Sequence, residues 1–110
     1  MMEPEKPRGL LVVMNDVPAQ HEDEFNRWYV EEHLPERISC PGFLSARRFI
    51  TVEGSPKYLA MYDLESVDVL NSEEYLRINE TTPWTTRIRT LRSFHVRNVY
   101  REIAPQYRGV

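Results

Sequence analysis

The segment 21–42 contains the longest helical pattern in the chain and constrains the fold more than any other stretch. Three acidic residues, 22–24, suit the positively polarised start of a helix. Regular helix is expected to fail at Pro35, and the Pro41-Gly42 turn is expected to close the segment. At about 100° of rotation per residue, one broad face combines aromatic and ionisable side chains. That face carries Phe25, Trp28, Tyr29, Glu32 and His33. Because buried ionisable groups cost free energy unless they are paired, this face is predicted to be a pocket wall or a tied polar cluster.

Four segments have the residue pattern of β-strands, and two further segments that of helices. The predicted strands are 9–17, 43–52, 57–65 and 92–103, and the further helices are 67–79 and 83–91. Ser66 or Ser72 is expected to cap the first of these helices, and Thr82 the second. Alternation along the second strand predicts that Phe43 and Phe49 share one face.

The predicted element order is β-α-β-β-α-β, which is typical of a ferredoxin-like α+β fold. It gives a four-stranded antiparallel sheet with the helices on one face. The first and third strands are apolar on both faces, so the second face of the sheet needs cover. A second copy of the chain would supply it, as a homodimer. The alternative is a monomer whose tail, 104–110, folds over the sheet.

Length and composition limit the domain organisation and the partners. The 110 residues are enough for one domain, which we expect at 9–110 after a flexible leader at 1–8. The net charge of -3 gives no electrostatic reason to bind nucleic acid or an anionic membrane. The single cysteine, Cys40, excludes an intramolecular disulfide, and we see no targeting segment or membrane span. We therefore expect a cytoplasmic protein.

The motif Trp28-Tyr-Val-Glu-Glu-His-Leu-Pro35, followed by Pro41-Gly-Phe43 and Ala46-Arg-Arg-Phe49, resembles the EthD-like branch of the dimeric α+β barrel superfamily. The resemblance extends from about Leu10 to Tyr100. It implies a dimeric α+β barrel with His33 facing a cavity between sheet and helices. Superfamily members include cofactor-free monooxygenases, polyketide cyclases, lactone isomerases and haem-binding enzymes. A shared fold hosts unrelated chemistries, so the resemblance does not identify a reaction.

His33 has two interpretations that the sequence leaves open. An imidazole titrates near neutral pH, so it could act as a general acid or base on a small molecule bound beside the aromatic residues. It could equally be a structural group at a helix end, hydrogen-bonded to a carbonyl or carboxylate. We expect Glu32 to pair with an arginine, either Arg47 or Arg48.

The predicted substrate-binding residues surround this catalytic candidate. They are Trp28, Tyr29, Glu32, Phe49 and Tyr62. His21 and His95 are interpreted as solvated or structural. The later arginines, from Arg87 to Arg108, are interpreted as solvated surface because they are spread over helix, strand and tail. We find no metal motif and no phosphate or dinucleotide fingerprint, so no cofactor is expected.

The sequence leads to two main functional hypotheses. The first is a cofactor-independent isomerase, cyclase or monooxygenase for an aromatic, lactone or polyketide-like substrate, with His33 as its acid/base. The second is a non-catalytic dimeric protein that binds a small apolar ligand or is purely structural. A haem-binding protein is a third possibility. A cavity beside His33 would favour the first hypothesis, and tight packing there the second.

Overall fold

A computed structural model describes residues 6–104, 107 and 109. The strands are β1 (Gly9–Asp16), β2 (Phe43–Ile50), β3 (Tyr58–Leu64) and β4 (Phe94–Arg101). They form one antiparallel sheet in the order β2-β3-β1-β4. The helices lie on one face of this sheet, which confirms the predicted ferredoxin-like α+β fold.

The helical segments are α1 (Glu22–Trp28), α2 (Leu34–Ile38), α3 (Glu73–Ile78) and α4 (Pro83–Leu91). A 3₁₀ turn precedes α1 at Ala19–His21, and another precedes α3 at Val67–Asn71. Both predicted serine caps are present, since Ser66 accepts from the Asp68 N–H and Ser72 from the Tyr75 N–H. Thr82 caps α4 as predicted.

The first helix loses regular α-helical geometry just before Pro35 but does not end there. A π-helical segment, Tyr29–His33, connects α1 to α2 without a break, and the chain stays helical to Ile38. The Leu34 N–H bonds to the carbonyl of Tyr29, five residues earlier. Pro35 then occupies the first turn of α2, where its missing N–H is tolerated. The wider π turn changes which side chains face the sheet.

A bulge near the start of β2 overturns the predicted faces of that strand. Phe43 lies opposite Leu64, but Ser45 lies opposite Asp63, so β2 advances by two residues where β3 advances by one. The extra residue reverses the alternation, and Phe43 and Phe49 therefore lie on opposite faces of the sheet. Phe43 is buried in the core under the helices, whereas Phe49 is 46% exposed.

The core lies between the helices and one face of the sheet. It is built largely from aromatic side chains of α1, β2, β3 and α3 together with aliphatic ones of β1 and α4. Its largest fully buried side chains include Phe25, Tyr62, Leu64 and Ile88. This packing fixes α1 and α4 against the sheet and so positions the polar groups that lie between them.

The turn before β2 depends on a glycine. Gly42 has a φ of 95°, a backbone conformation that disfavours residues with a Cβ. A Cβ there would also overlap the Val69 side chain in the 3₁₀ turn before α3. The Glu65 N–H donates to the Gly42 carbonyl. This glycine therefore lets the turn pack closely against the second helical layer.

The ends of the chain are only partly described. Of the predicted leader 1–8, residues 1–5 lie outside the described residues, while Lys6 forms an ion pair with Asp68. In the tail, Tyr107 is 89% exposed, and residues 105, 106, 108 and 110 lie outside the described residues. Within the described chain, none of the helices has the length and apolar character that crossing a membrane requires.

Candidate functional site

A cavity of about 370 Å³ lies between the helices and the sheet. All the secondary-structure layers around it contribute: β1, β3 and β4 form its floor, and α1 to α4 its other walls. Four predicted site residues line it, namely Trp28, Tyr29, His33 and Tyr62. The cavity therefore brings the catalytic candidate together with three of the five predicted substrate-binding residues.

The two other predicted substrate-binding residues are not part of the lining. Phe49 lies on the opposite face of the sheet because of the bulge in β2, and its ring contacts the guanidinium of Arg47 there. Glu32 lies behind Trp28 rather than in the cavity. The structure therefore does not bring Phe49 near His33, and it places Glu32 in contact with the lining residue Trp28 rather than in the lining itself.

The His33 imidazole is held by aromatic rings. It stacks on Trp28 with ring centroids 4.3 Å apart and 23° between the planes. Tyr29 and Tyr62 meet it edge-on, at 5.2 Å and 6.2 Å. No hydrogen bond to the ring occurs within the described residues. The hydrogen bond that the structural interpretation of His33 requires is thus not seen there, and the ring nitrogens are available to a ligand.

The environment of His33 strongly favours the neutral ring. Burial is the largest cause that lowers its pKa, and together with the positive charges of Arg37, Arg89, Arg48 and Arg92 it brings the pKa to about 3. Protonating the ring at pH 7 then costs roughly 5 kcal/mol, at about 1.36 kcal/mol for each of some four pKa units. In the free protein His33 is therefore a weak base with both nitrogens uncharged.

Glu32 organises the wall on which His33 stacks. Its Oε2 accepts from the indole Nε1 of Trp28 at 3.0 Å and from the hydroxyls of Thr82 at 2.9 Å and Thr85 at 3.1 Å. The Trp28 Nε1 also reaches the Thr85 hydroxyl at 3.1 Å. This network ties the end of α1 to the start of α4 and fixes the orientation of the indole.

The predicted pairing of Glu32 with Arg47 or Arg48 is wrong, because both arginines have other partners. Arg47 pairs with Asp63 on the far face of the sheet. Arg48 lies on the helix side, where its guanidinium is 4.1 Å from the centroid of the Tyr29 ring and donates to Asn26. Glu32 instead lies on the side of the helix that faces α4.

The two tyrosine hydroxyls at the cavity floor are held in their neutral form. Burial raises the pKa of Tyr29, and the positive charge of Arg48 only partly opposes the rise. Burial also raises the pKa of Tyr62, whose hydroxyl is enclosed without a hydrogen bond of standard geometry among the described residues. Each hydroxyl is close enough to the other to affect its pKa. Both can donate to a ligand oxygen.

The cavity also brings together basic side chains that the sequence analysis did not assign to a site. They are Arg37, Arg89, Arg92, Arg97 and His95. Burial lowers the pKa of His95, and neighbouring arginines lower it further. Of the other arginines from Arg87 to Arg108, Arg87 pairs with Glu24 and Arg108 lies outside the described residues. A sequence signal did exist for two of them: His95 and Arg97 are two residues apart on a strand, so they share one face of the sheet.

A polar chain runs along the β1–β4 side of the cavity. The Arg92 Nη1 lies 2.8 Å from the His95 Nδ1, which in turn lies 2.8 Å from the Asn15 Oδ1. The Asn15 Nδ2 is 3.5 Å from the Tyr29 hydroxyl. Asn15 is buried at the end of β1, as are the aromatic rings beside it. The part of the chain that the structure describes contains no cluster of three or more side chains suited to hold a metal ion.

The sequence matches no protein-family model, and no curated protein matches it. Solved structures show the same fold. A dimeric ferredoxin-like protein from an uncultured marine organism superposes with a TM-score of 0.69 at 12% identity, over 96% of this chain and 95% of that one. A candidate antibiotic biosynthesis monooxygenase from Nitrosomonas europaea gives 0.65 at 11%, over 96% and 100%. The haem-degrader MhuD from Mycobacterium tuberculosis, with two haems in its active site, gives 0.63 at 14%, over 90% and 99%.

Proposed function

We propose that the protein is a small-molecule enzyme that converts an aromatic, lactone or polyketide-like substrate without a bound cofactor. The observation that carries the proposal is the cavity beside His33, since tight packing there would have favoured a structural role. Its volume of about 370 Å³ lies in the range of roughly 300–1,000 Å³ that is usual for small-molecule sites. At ~30 Å³ for each water it corresponds to about a dozen water molecules, the room needed by one or two fused rings.

The aromatic wall would bind the ring system, and His33 would handle the proton. Trp28 is held by its hydrogen bond to Glu32 and lines the cavity. On such substrates, isomerisation, cyclisation and cofactor-free oxygenation can each begin with removal of a proton next to a carbonyl or from a phenol. A neutral imidazole can accept that proton, and the hydroxyls of Tyr29 and Tyr62 can donate to the oxygen on which charge develops.

The names of two structural neighbours support this proposal. The Nitrosomonas europaea protein supports a monooxygenase-like activity, and the marine protein supports a homodimer. The dimer would cover the outer face of the sheet, where Leu10, Met14, Leu59 and Met61 are only partly buried. Membership of the EthD-like branch, cytoplasmic location and the 9–110 domain boundary remain predictions.

A specific observation favours a second candidate, a binding protein without catalysis. General bases work best with a pKa near the working pH, and the pKa of His33 is about 3. If no ligand raises that pKa, the cavity would bind a small molecule without moving a proton. The two candidates differ in whether a bound ligand makes His33 more basic.

Haem binding, the third possibility, fits the cavity poorly. The unbonded ring of His33 and the nearby arginines have the chemistry to meet an iron centre and two propionates. However, a porphyrin is larger than a cavity of about 370 Å³. Haem is therefore not part of the proposed function. An absorbance scan after incubation with haem tests this directly, since a Soret band shifted from that of free haem would show binding.

Replacement of His33 tests the catalytic proposal. We expect His33→Gln to fold and bind ligands of the parent, and to lower turnover by about 10²–10⁴-fold. The assay is product formation, followed by mass spectrometry, from a panel of aromatic hydroxyquinones, unsaturated lactones and polyketide-like ketones with no cofactor added. Arg87→Gln is the matched control because its side chain lies outside the cavity and pairs with Glu24. A His33→Gln protein as active as its parent would contradict the proposal.

A further inference from the structure

One side of the cavity is strongly positive. Arg37, Arg89, Arg92 and Arg97 line it, and no aspartate or glutamate occurs among the described lining residues. Arg37 has an ion pair with Glu36 at 2.9 Å. The other three have no ion pair within the described residues, although Arg89 donates to a threonine hydroxyl and Arg97 to the hydroxyl of a tyrosine. Charge of one sign has therefore collected along one side of the cavity.

Arg92 is the least satisfied of these groups. Its Nε is buried and has no hydrogen-bond partner among the described residues. Its Nη1 meets the His95 Nδ1, which also lies against the Asn15 Oδ1. That nitrogen carries either a proton or a lone pair, so it can donate to Asn15 or accept from Arg92, but not both. In either tautomer one of these close polar contacts is unsatisfied.

We propose that the ligand of this cavity is an organic acid, whose carboxylate binds Arg92 on the wall shared with Arg89 and Arg97. A carboxylate accepts two parallel N–H bonds from one guanidinium and would satisfy the buried Nε. The ring system of the acid would then extend toward Trp28 and His33. This names the substrate class of the proposed enzyme, and so it rests on the proposed function.

The acid would also change the chemistry of His33. The charges of Arg89 and Arg92 are among the causes that disfavour the imidazolium form in the free protein. A bound carboxylate opposes those charges, so it favours protonation of the ring. An acidic ligand therefore makes His33 a better base at the moment when the substrate is present, whereas a neutral ligand of the same shape leaves the ring weakly basic.

The test compares 2-naphthoate with 2-naphthamide, which has nearly the same shape and no charge. We expect titration calorimetry on the full chain to show binding of the acid at least ten-fold tighter than the amide. Arg92→Gln should weaken binding of the acid by about ten- to a hundred-fold and leave binding of the amide unchanged. Arg87→Gln, which replaces an arginine of α4 outside the cavity, should bind both compounds as the parent does.

Thermal melts show whether each variant is folded. If Arg92→Gln does not fold, Arg89→Gln is used in its place because Arg89 is exposed. This variant should bind the acid several-fold more weakly than the parent does. Equal binding of acid and amide by the parent would overturn this inference and leave the proposed function standing. Binding of neither compound would count against the cavity as a small-molecule site and so against both. Acid binding that is unaffected by both arginine replacements would place the carboxylate elsewhere and also overturn the inference.

Discussion

The buried, neutral His33 makes the native state sensitive to acid by an amount that can be worked out. Its pKa is about 3 in the folded protein and about 6.5 in the unfolded chain. The folded-state pKa is lowered, so between pH 6.5 and 3 the unfolded chain binds a proton that the native state does not. This contribution to stability is fully present above pH 6.5 and is lost as the pH falls. At pH 4.5 the loss is about 2.7 kcal/mol, from two pH units at about 1.36 kcal/mol each.

Urea denaturation of the parent and His33→Gln at pH 7 and pH 4.5 measures this loss. Protonation of carboxylates and of His95 affects both proteins alike, so the quantity of interest is the difference between their pH dependences. The parent should lose about 2.7 kcal/mol more than the variant between the two pH values. An equal loss would show that His33 titrates as it does in the unfolded chain, and it would refute the description of its environment.

Three further predictions concern packing and assembly. Trp28→Ala should cost about 3–5 kcal/mol in urea denaturation because the indole is 6% exposed and joins α1 to α4, and a cost under about 1 kcal/mol would contradict this. Gly42→Ala should lower the free energy of unfolding by at least about 1–2 kcal/mol, because of the positive φ and the overlap of the new Cβ with Val69. Adding Val69→Ala should restore only the part of that loss that is due to the overlap. Sedimentation at micromolar concentration should show a species of twice 13.1 kDa, and a species of 13.1 kDa alone would rule out the dimer.

The sequence predicted the architecture because its signals are local and agree with one another. Apolar runs marked β1 and β3 as strands, and capping groups such as Thr82 marked the helix starts. It did not reveal two local irregularities. One is the π-helical form of the segment before Pro35, and the other is the bulge after Phe43, which moved Phe49 to the other face. Neither irregularity has a signature that hydrophobic periodicity can detect.

The candidate site was predicted only in its aromatic half. Trp28, Tyr29 and His33 are neighbours on one helix, so their proximity follows from helical geometry alone. The arginines come from separate elements, and their convergence on one cavity depends on how β4 pairs with β1 and how α4 packs. Net charge could not reveal them either, because a chain with an overall charge of -3 can still carry a local positive site.

The pKa of His33 with and without a bound acid tests the central claim most directly. It can be measured by NMR of the imidazole ¹⁵N nuclei in the free protein and in protein saturated with 2-naphthoate. Our account predicts a pKa well below the usual 6.5 in the free protein, a higher pKa in the complex with the acid, and no comparable rise with 2-naphthamide. A pKa near 6.5 in the free protein, or one that saturating acid leaves unchanged, would contradict the account.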